Sequence, residues 1–307
     1  MPEQIIVKVD SQILNSINLC PERYRLEHME NWRPIKKALA LERGQLCHLM
    51  LGHFYTEKMK GRTRPADMPG LLQECLMLGR VFASNSTHIS ADEFQEDERV
   101  FKEYFLRWQY DGWEIHAVET PFSKTIYESS ALRIDYTGII DLLINDPKLG
   151  RAVVDTKTES RKSDPFILSN QFQGYEWAFE GIPVVVNKIG YQQNAKMENE
   201  NPEDYTKNNK VDMRFRRLIL QSGEAALKEW REDAIRSVIE AIGWHKEVAN
   251  GKRLKKNRTS CDKYAGCIFQ KVCKEPDEVR EHKLIVGFFK DKPWDVFERD
   301  TEDAVAS

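Results

Sequence analysis

The sequence predicts an α/β protein: a strand-built core flanked by helices, with a helical region before it and a cysteine cluster after it. Three observations carry that class. Helical apolar spacing dominates residues 11–110, β-branched and apolar runs bunch from residue 115 to residue 220, and Cys261, Cys267 and Cys273 fall close together.

The elements follow in order. Ser11 is expected to cap a helix through Leu14, Ile17 and Leu19, and a second helix runs from about Lys36 through Leu46, Leu49 and Met50 to Met59. Residues 91–110 align Phe94, Phe101, Phe105 and Trp108 on one side of an amphipathic helix. From Glu114 the texture turns to strand, at Ile115–Phe122, Lys124–Ser129, Ile139–Ile144 and Ala152–Lys157. Pro147 and Gly150 break the chain between the last two, which pair as a hairpin. Pro165–Phe179 reads as helix, Pro183–Gln192 and Met213–Leu220 as strands, and Ser222–Val248 as a long helix ended by Asn250-Gly251. Asn194–Lys210 is polar and reads as a loop. This divides the chain into a helical region at 1–110 carrying Cys20 and His48, a core at 111–250, a basic and cysteine-bearing segment at 251–285, and a partly mobile tail at 286–307 that includes the acidic Asp300–Asp303.

With 307 residues, 41% hydrophobic and 10% aromatic, the chain can bury a sizeable core. A net charge of −3 gives no global attraction to polyanions, so any such site is local. No apolar run is long enough to cross a membrane as a helix, and Met1–Ile5 lacks the regions of a signal peptide. The expectation is a soluble, cytoplasmic protein.

Chemistry concentrates on the hairpin. Asp141 lies inside the apolar run Ile139–Ile144, and Asp155 and Lys157 lie on one face of the next strand, two residues apart. Charges within apolar strands are costly unless paired or bound to metal. Two carboxylates and a lysine suit divalent-metal hydrolysis, while the same residues on an edge strand suit a solvated ion pair.

Four separated motifs then act together: Gly138-x-x-Asp141, Asp155-x-Lys157, Gln171-Phe172-Gln173-Gly174-Tyr175 and Gly44-x-x-x-His48. Their order and spacing, over about residues 10–275, resemble the PD-(D/E)XK nucleases, in particular the RecB-like exonuclease branch that includes the CRISPR-associated iron–sulfur nucleases. The resemblance implies a restriction-endonuclease-like core, a central mixed sheet flanked by helices. It implies a metal-dependent DNA exonuclease acting on single-stranded or frayed-end DNA, with Asp141, Asp155 and Lys157 catalytic. Hard cations take oxygen ligands, so Mg²⁺ or Mn²⁺ would be held by Asp141, Asp155 and the Thr156 carbonyl, with His48 adding an imidazole better suited to Mn²⁺. His53, on the same helix, competes with His48 for that role. Gln171 and Tyr175 would contact the DNA strand, and Glu119 is a further acidic candidate. A structure-specific endonuclease and a non-catalytic DNA-binding module are the alternatives on the same fold. The chain lacks a G-x-x-x-x-G-K-[ST] loop, so unwinding would fall to a helicase or recombination partner.

The resemblance extends to the cysteines. Cys20, Cys261, Cys267 and Cys273 correspond to the four that hold a [4Fe–4S] cluster in the iron–sulfur members, although that family's trio commonly opens with a shorter first gap than the five residues found here. Zinc also suits four thiolates, and four buried, unliganded cysteines are the third reading. Cys47 and Cys75 fall in helical segments and read as core residues. The run Lys252-Arg253-Leu254-Lys255-Lys256-Asn257-Arg258 fits either phosphate contact or a solvated linker, and Arg214, Arg216 and Arg217 are further candidates for phosphate contact.

Overall fold

The computed structural model describes residues 4–35, 39–86, 88–159, 168–191, 215–262 and 266–294. Its centre is a six-stranded mixed sheet. Strands β3 (Glu114–Glu128) and β4 (Leu132–Asp146) form a long antiparallel ribbon, and β4 turns back into β5 (Gly150–Glu159). Strand β6 (Val184–Gly190) runs parallel to β5, and β7 (Phe215–Leu220) antiparallel to β6. Strand β1 (Ile5–Val9) runs parallel to the first part of β4. A separate two-stranded sheet pairs β2 (Trp32–Pro34) with β8 (Phe288–Lys290).

Nine α-helices are described: α1 (Ser11–Leu19), α2 (Pro21–Tyr24), α3 (Leu39–Met59), α4 (Met68–Asn85), α5 (Ala91–Trp108), α6 (Asn170–Ala178), α7 (Glu224–Ala249), α8 (Gln270–Cys273) and α9 (Asp277–Gly287). The alternation of β5 divides them between two faces. Ala152 and Val154 pack with Leu46, Met50, Phe54, Tyr104 and Phe105 of α3 and α5, whereas Val153 packs with Phe172 and Tyr175 of α6. Cys47 and Cys75 are buried in the first of these cores. Each fully buried side chain of this size contributes about 1.5–3 kcal/mol, which is what clamps the helices to the sheet.

Several sequence expectations change. The cap of α1 is Asp10, whose carboxylate accepts the Ile13 N–H at 2.8 Å, and Ser11 is the first helical residue. The runs Ile115–Phe122 and Lys124–Ser129 are one strand that continues through two register shifts, so the polar Ser123 and Lys124 do not break it. Helix α6 starts at Asn170 behind a Ser169 cap, later than Pro165. Strands β1, β2 and β8 and helix α9 have no counterpart in the sequence reading, which of α4 gives only a helical segment at Cys75. The short strands draw their stability from partners distant in sequence, which local pattern does not register. The Asn194–Lys210 segment, Arg214 and the Asp300–Asp303 tail lie outside the described residues.

One feature of β4 positions everything that follows. Its Leu132–Tyr136 stretch pairs with β1 and its Leu142–Asp146 stretch with β5, both on the edge opposite β3. Between the two, residues 137–141 have no ladder partner on that edge among the described residues.

Candidate active site

The gap between β1 and β5 opens directly onto the two aspartates. The β4–β5 ladder ends at Leu142 and Val154, and one residue further along each strand stand Asp141 and Asp155, both buried. The Thr156 N–H donates to Asp141 Oδ2 at 2.6 Å, so a backbone group fixes this carboxylate. Asp155 Oδ1 accepts from Gln171 Nε2 at 2.9 Å. Asp155 Oδ2 has the Lys157 ammonium 2.9 Å away but no hydrogen bond of good geometry, although it is buried.

Two further groups reach the gap. Helix α3 brings His48 Nδ1 to 3.4 Å from Asp141 Oδ2. Strand β3 brings Glu119, whose Oε1 is 3.9 Å from the same nitrogen. Glu119 has φ 45°, a left-handed conformation rare for a non-glycine residue, held within a strand whose flanking residues pair normally with Leu142 and Ile140. Backbone strain of this kind persists where surrounding structure enforces it, and it concentrates at functional sites. One ligand atom each from His48, Glu119 and Asp141 fall within 4.8 Å of one another.

The electrostatics follow from burial. Burial pushes the Asp155 carboxyl up to about 6, against the pull of Lys157. Burial acts the same way on Asp141, but His48 and the Thr156 N–H outweigh it and hold that carboxyl below the usual range. Burial disfavours the His48 cation, yet Asp141 and Glu119 lift its pKa to about 10. The chain alone thus keeps a proton on His48 among the carboxylates, and a cation taken up there would displace it.

Helix α6 is pressed close enough to act on this site because Gly174 lets it meet β4, while Gly138 makes room for the Phe122 ring of β3. A Cβ on Gly174 would collide with the Tyr136 hydroxyl, and one on Gly138 would lie 2.6 Å from the Phe122 ring. The Tyr175 hydroxyl donates to the Ile139 carbonyl at 3.0 Å, and Gln171 Nε2 lies 3.0 Å from that hydroxyl. Expected as strand contacts, these two side chains have inward partners, and Tyr175 is only 4% exposed. Lys157 retains 35% exposure of its side chain, so its ammonium reaches the mouth of the gap.

Other candidates are spent elsewhere. His53 bonds Glu74 at 3.2 Å on the surface. Arg216 pairs with Glu159 at 2.6 Å. Arg217 pairs with Asp111 at 2.7 Å and is sandwiched between the Trp108 and Trp113 rings at 3.7 and 3.5 Å. Neither arginine is the surface phosphate contact the sequence suggested, because burial against acid and aromatic partners uses its charge internally. Sequence reasoning missed Asn187, a buried polar residue in the apolar run Val184–Gly190. Its Nδ2 donates to Thr156 Oγ1 at 3.2 Å and to the Tyr104 hydroxyl at 2.9 Å. The single amide within that run was the available signal.

From opposite ends of the sequence, Cys20 and the trio Cys261, Cys267 and Cys273, all free thiols, line one cavity of about 350 Å³. The Asn257 N–H donates to Cys20 Sγ at 3.3 Å.

The donor set of the strand gap, the His48 imidazole with the Glu119 and Asp141 carboxylates and Asp155 beside them, fits a divalent cation. The family model of the PD-(D/E)XK nuclease superfamily matches residues 12–274. The chain belongs to this superfamily. No curated protein matches it. Among solved structures, this PD-(D/E)XK protein is similar to an inferred exonuclease from Eubacterium rectale, with 12% identity, 89% of this chain and 91% of that one covered, and a TM-score of 0.46. It is also similar to SSO0001, with 12% identity, 77% and 78% covered, and a TM-score of 0.31. No described helix of this nuclease-superfamily chain is long and apolar enough to cross a membrane.

Proposed function

We propose that this chain is a divalent-metal-dependent DNA exonuclease of the RecB-like branch, acting on single-stranded or frayed-end DNA. The observation that carries the reading is the meeting of Lys157 with Asp155 at 2.9 Å, beside the His48–Glu119–Asp141 group. A packing or binding role has no need of a half-exposed lysine at a buried carboxylate.

Asp141, Asp155, His48 and the Thr156 carbonyl would hold Mg²⁺ or Mn²⁺, with Glu119 adjacent, and the ion would supply Lewis acidity toward the phosphodiester and its attacking water. Lys157 donates to oxygen charge developing on the phosphate and orients the water. Asp155 aims Lys157, and Gln171 aims Asp155. Tyr175 acts through Gln171 and the Ile139 carbonyl, which leaves the half-buried Gln171 as the member of that pair able to meet the strand. Unwinding of duplex would fall to a partner.

The same reading gives Cys20, Cys261, Cys267 and Cys273 to a structural [4Fe–4S] cluster joining distant parts of the chain. Four free thiols on one cavity support it.

The test is anaerobically purified protein with end-labelled linear and circular single-stranded DNA, in Mg²⁺, Mn²⁺ or chelator, beside Asp155→Ala. Metal-dependent shortening of linear DNA alone, lost in the variant, is expected. Cleavage of circles would make the chain an endonuclease, and binding without cleavage would make it a binding module.

A further inference from the structure

A second cavity, of about 670 Å³, opens beside the cysteine cavity and shares Lys256 and Arg258 with it. Pro21 and Trp244 form part of its apolar wall, and Lys255, Lys256 and Arg258 its cationic rim, against Glu240 as the single lining carboxylate. Lys256 turns toward the cysteines, donating to the Cys273 carbonyl at 3.0 Å. Lys255 and Arg258 are exposed, and neither has an ion-pair partner among the described residues.

The segment carrying these charges is not a loose linker. Leu254 is buried with Ile17, Tyr24, Ala241 and Trp244. Asn257 Nδ2 donates to the Leu19 carbonyl at 2.9 Å, its N–H to Cys20 Sγ at 3.3 Å, and its carbonyl accepts from Ser260 Oγ at 2.8 Å. The backbone is thus strapped to the end of α1 with unpaired cations held outward, which is a fixed electrostatic feature at a place where the chain as a whole is acidic.

Helix α1 connects the groove to the strand gap. Asn170, next to Gln171, donates through Nδ2 to Asn15 Oδ1 at 2.8 Å, and Asn18, one turn along α1, lines the groove. From Asn15 to Leu19, the end of α1, is about 6 Å of helix rise.

We propose that this groove is a subsite for the phosphodiester backbone of a single nucleic-acid strand, with Lys255 and Arg258 contacting phosphates on the portion of the strand running away from Asp141 and Asp155. The inference rests on the nuclease reading for its orientation but not for its test. Charge complementarity decides for a polyanionic strand, because Lys255 and Arg258 are exposed on a backbone strapped to α1 and face a single lining carboxylate, Glu240.

The test is fluorescence anisotropy of labelled dT20 and rU20 on the full-length protein in chelator, as a function of salt, for wild type, Lys255→Glu/Arg258→Glu and Lys252→Glu. Wild type is expected to bind, and the double variant to bind at least about tenfold more weakly, with the slope of log affinity against log salt reduced by about 1.4, the release expected for two lost phosphate contacts. Lys252→Glu, on the same run but outside the groove, should change the slope by less than half as much. Equal effects of the two charge reversals, unchanged affinity in the double variant, or no binding by wild type would each overturn the groove. A difference between dT20 and rU20 tells which sugar the strand carries. Hydrolysis of bis(4-nitrophenyl) phosphate with Mn²⁺ separates the two ideas: if wild type hydrolyses it while groove variants bind strands normally, the nuclease reading stands and the groove falls. If wild type binds through the groove but hydrolyses nothing, the reverse holds.

Discussion

The Thr156 N–H donates to Asp141 Oδ2 at 2.6 Å, linking the first carboxylate of the site to the strand that carries the second. Because the hydrogen bond joins β5 to a side chain of β4 just beyond the last ladder pair, the separation of the two aspartates is set by backbone and not by rotamer choice. That is the rigid positioning a phosphoryl-transfer site requires.

Replacement of Lys157 by Ala should lower the rate of strand cleavage by about 10²–10³-fold, the range for loss of one preorganised charge-stabilising donor. Single-turnover rates on labelled single-stranded DNA read this directly, and circular dichroism should show an unchanged fold, since the side chain is 35% exposed.

Asp155→Asn should abolish cleavage while leaving the metal-free protein no less stable. Burial raises the Asp155 carboxyl toward 6, so its charge is held against a desolvation cost that Asn avoids, and Asn keeps the acceptor for Gln171. Thermal melting in chelator checks this. A large drop in Tm would mean that the ion pair with Lys157 outweighs burial.

Arg217→Lys should destabilise the protein by about 2–4 kcal/mol without altering the salt dependence of strand binding. The guanidinium is stacked between Trp108 and Trp113 and paired with Asp111, a planar arrangement that an ammonium does not reproduce. Urea unfolding and anisotropy titrations together distinguish this internal role from a phosphate contact.

Acid should destabilise the chain through His28. Its side chain is 8% exposed, both ring nitrogens lack hydrogen-bond partners, and burial lowers its pKa from 6.5 to about 4. A depressed folded pKa means that the unfolded chain takes up a proton the native state refuses as pH falls from 6.5 toward 4. Stability is therefore full above 6.5 and lost within that window, by about 2 kcal/mol at pH 5. Urea unfolding at pH 7.5 and 5 should show this loss, and His28→Phe should remove it.

Cys267→Ala should remove visible iron–sulfur absorbance and bound iron, whereas Cys75→Ala, in the core of the helical layer, should cost stability alone. Iron content per chain under anaerobic purification is the measurement.

Much of this was legible in residues close together in sequence. Asp141, Asp155 and Lys157 interrupt apolar runs, and the hairpin joining them is marked by Pro147 and Gly150. His48 could be chosen over His53 only by motif, since both lie on one helix and only packing separates them. Three features were not legible. Glu119 was named as an acidic candidate, but the left-handed backbone that places it is one no residue preference announces. Gln171 and Tyr175 share a helix face, but that the face turns inward depends on Gly174 admitting a close approach to Tyr136. The exchange of partners along β4 depends on β1, a five-residue strand whose mate begins at Leu132.

The pairing of β2 with β8, and the gathering of Cys20 with Cys261, Cys267 and Cys273, bear on the order of folding. During synthesis from the N-terminus, Cys20 and Trp32 wait until almost all the described chain has emerged before their partners exist. Closing so long a loop adds little free-energy penalty per extra residue, but it makes the contacts non-local and therefore slow. The sheet from β3 to β6 can form first, so assembly of the cysteine cavity becomes the closing event of maturation. Chains in which that cavity has not yet assembled have a formed core and unsealed ends, open to proteolysis there before anywhere else.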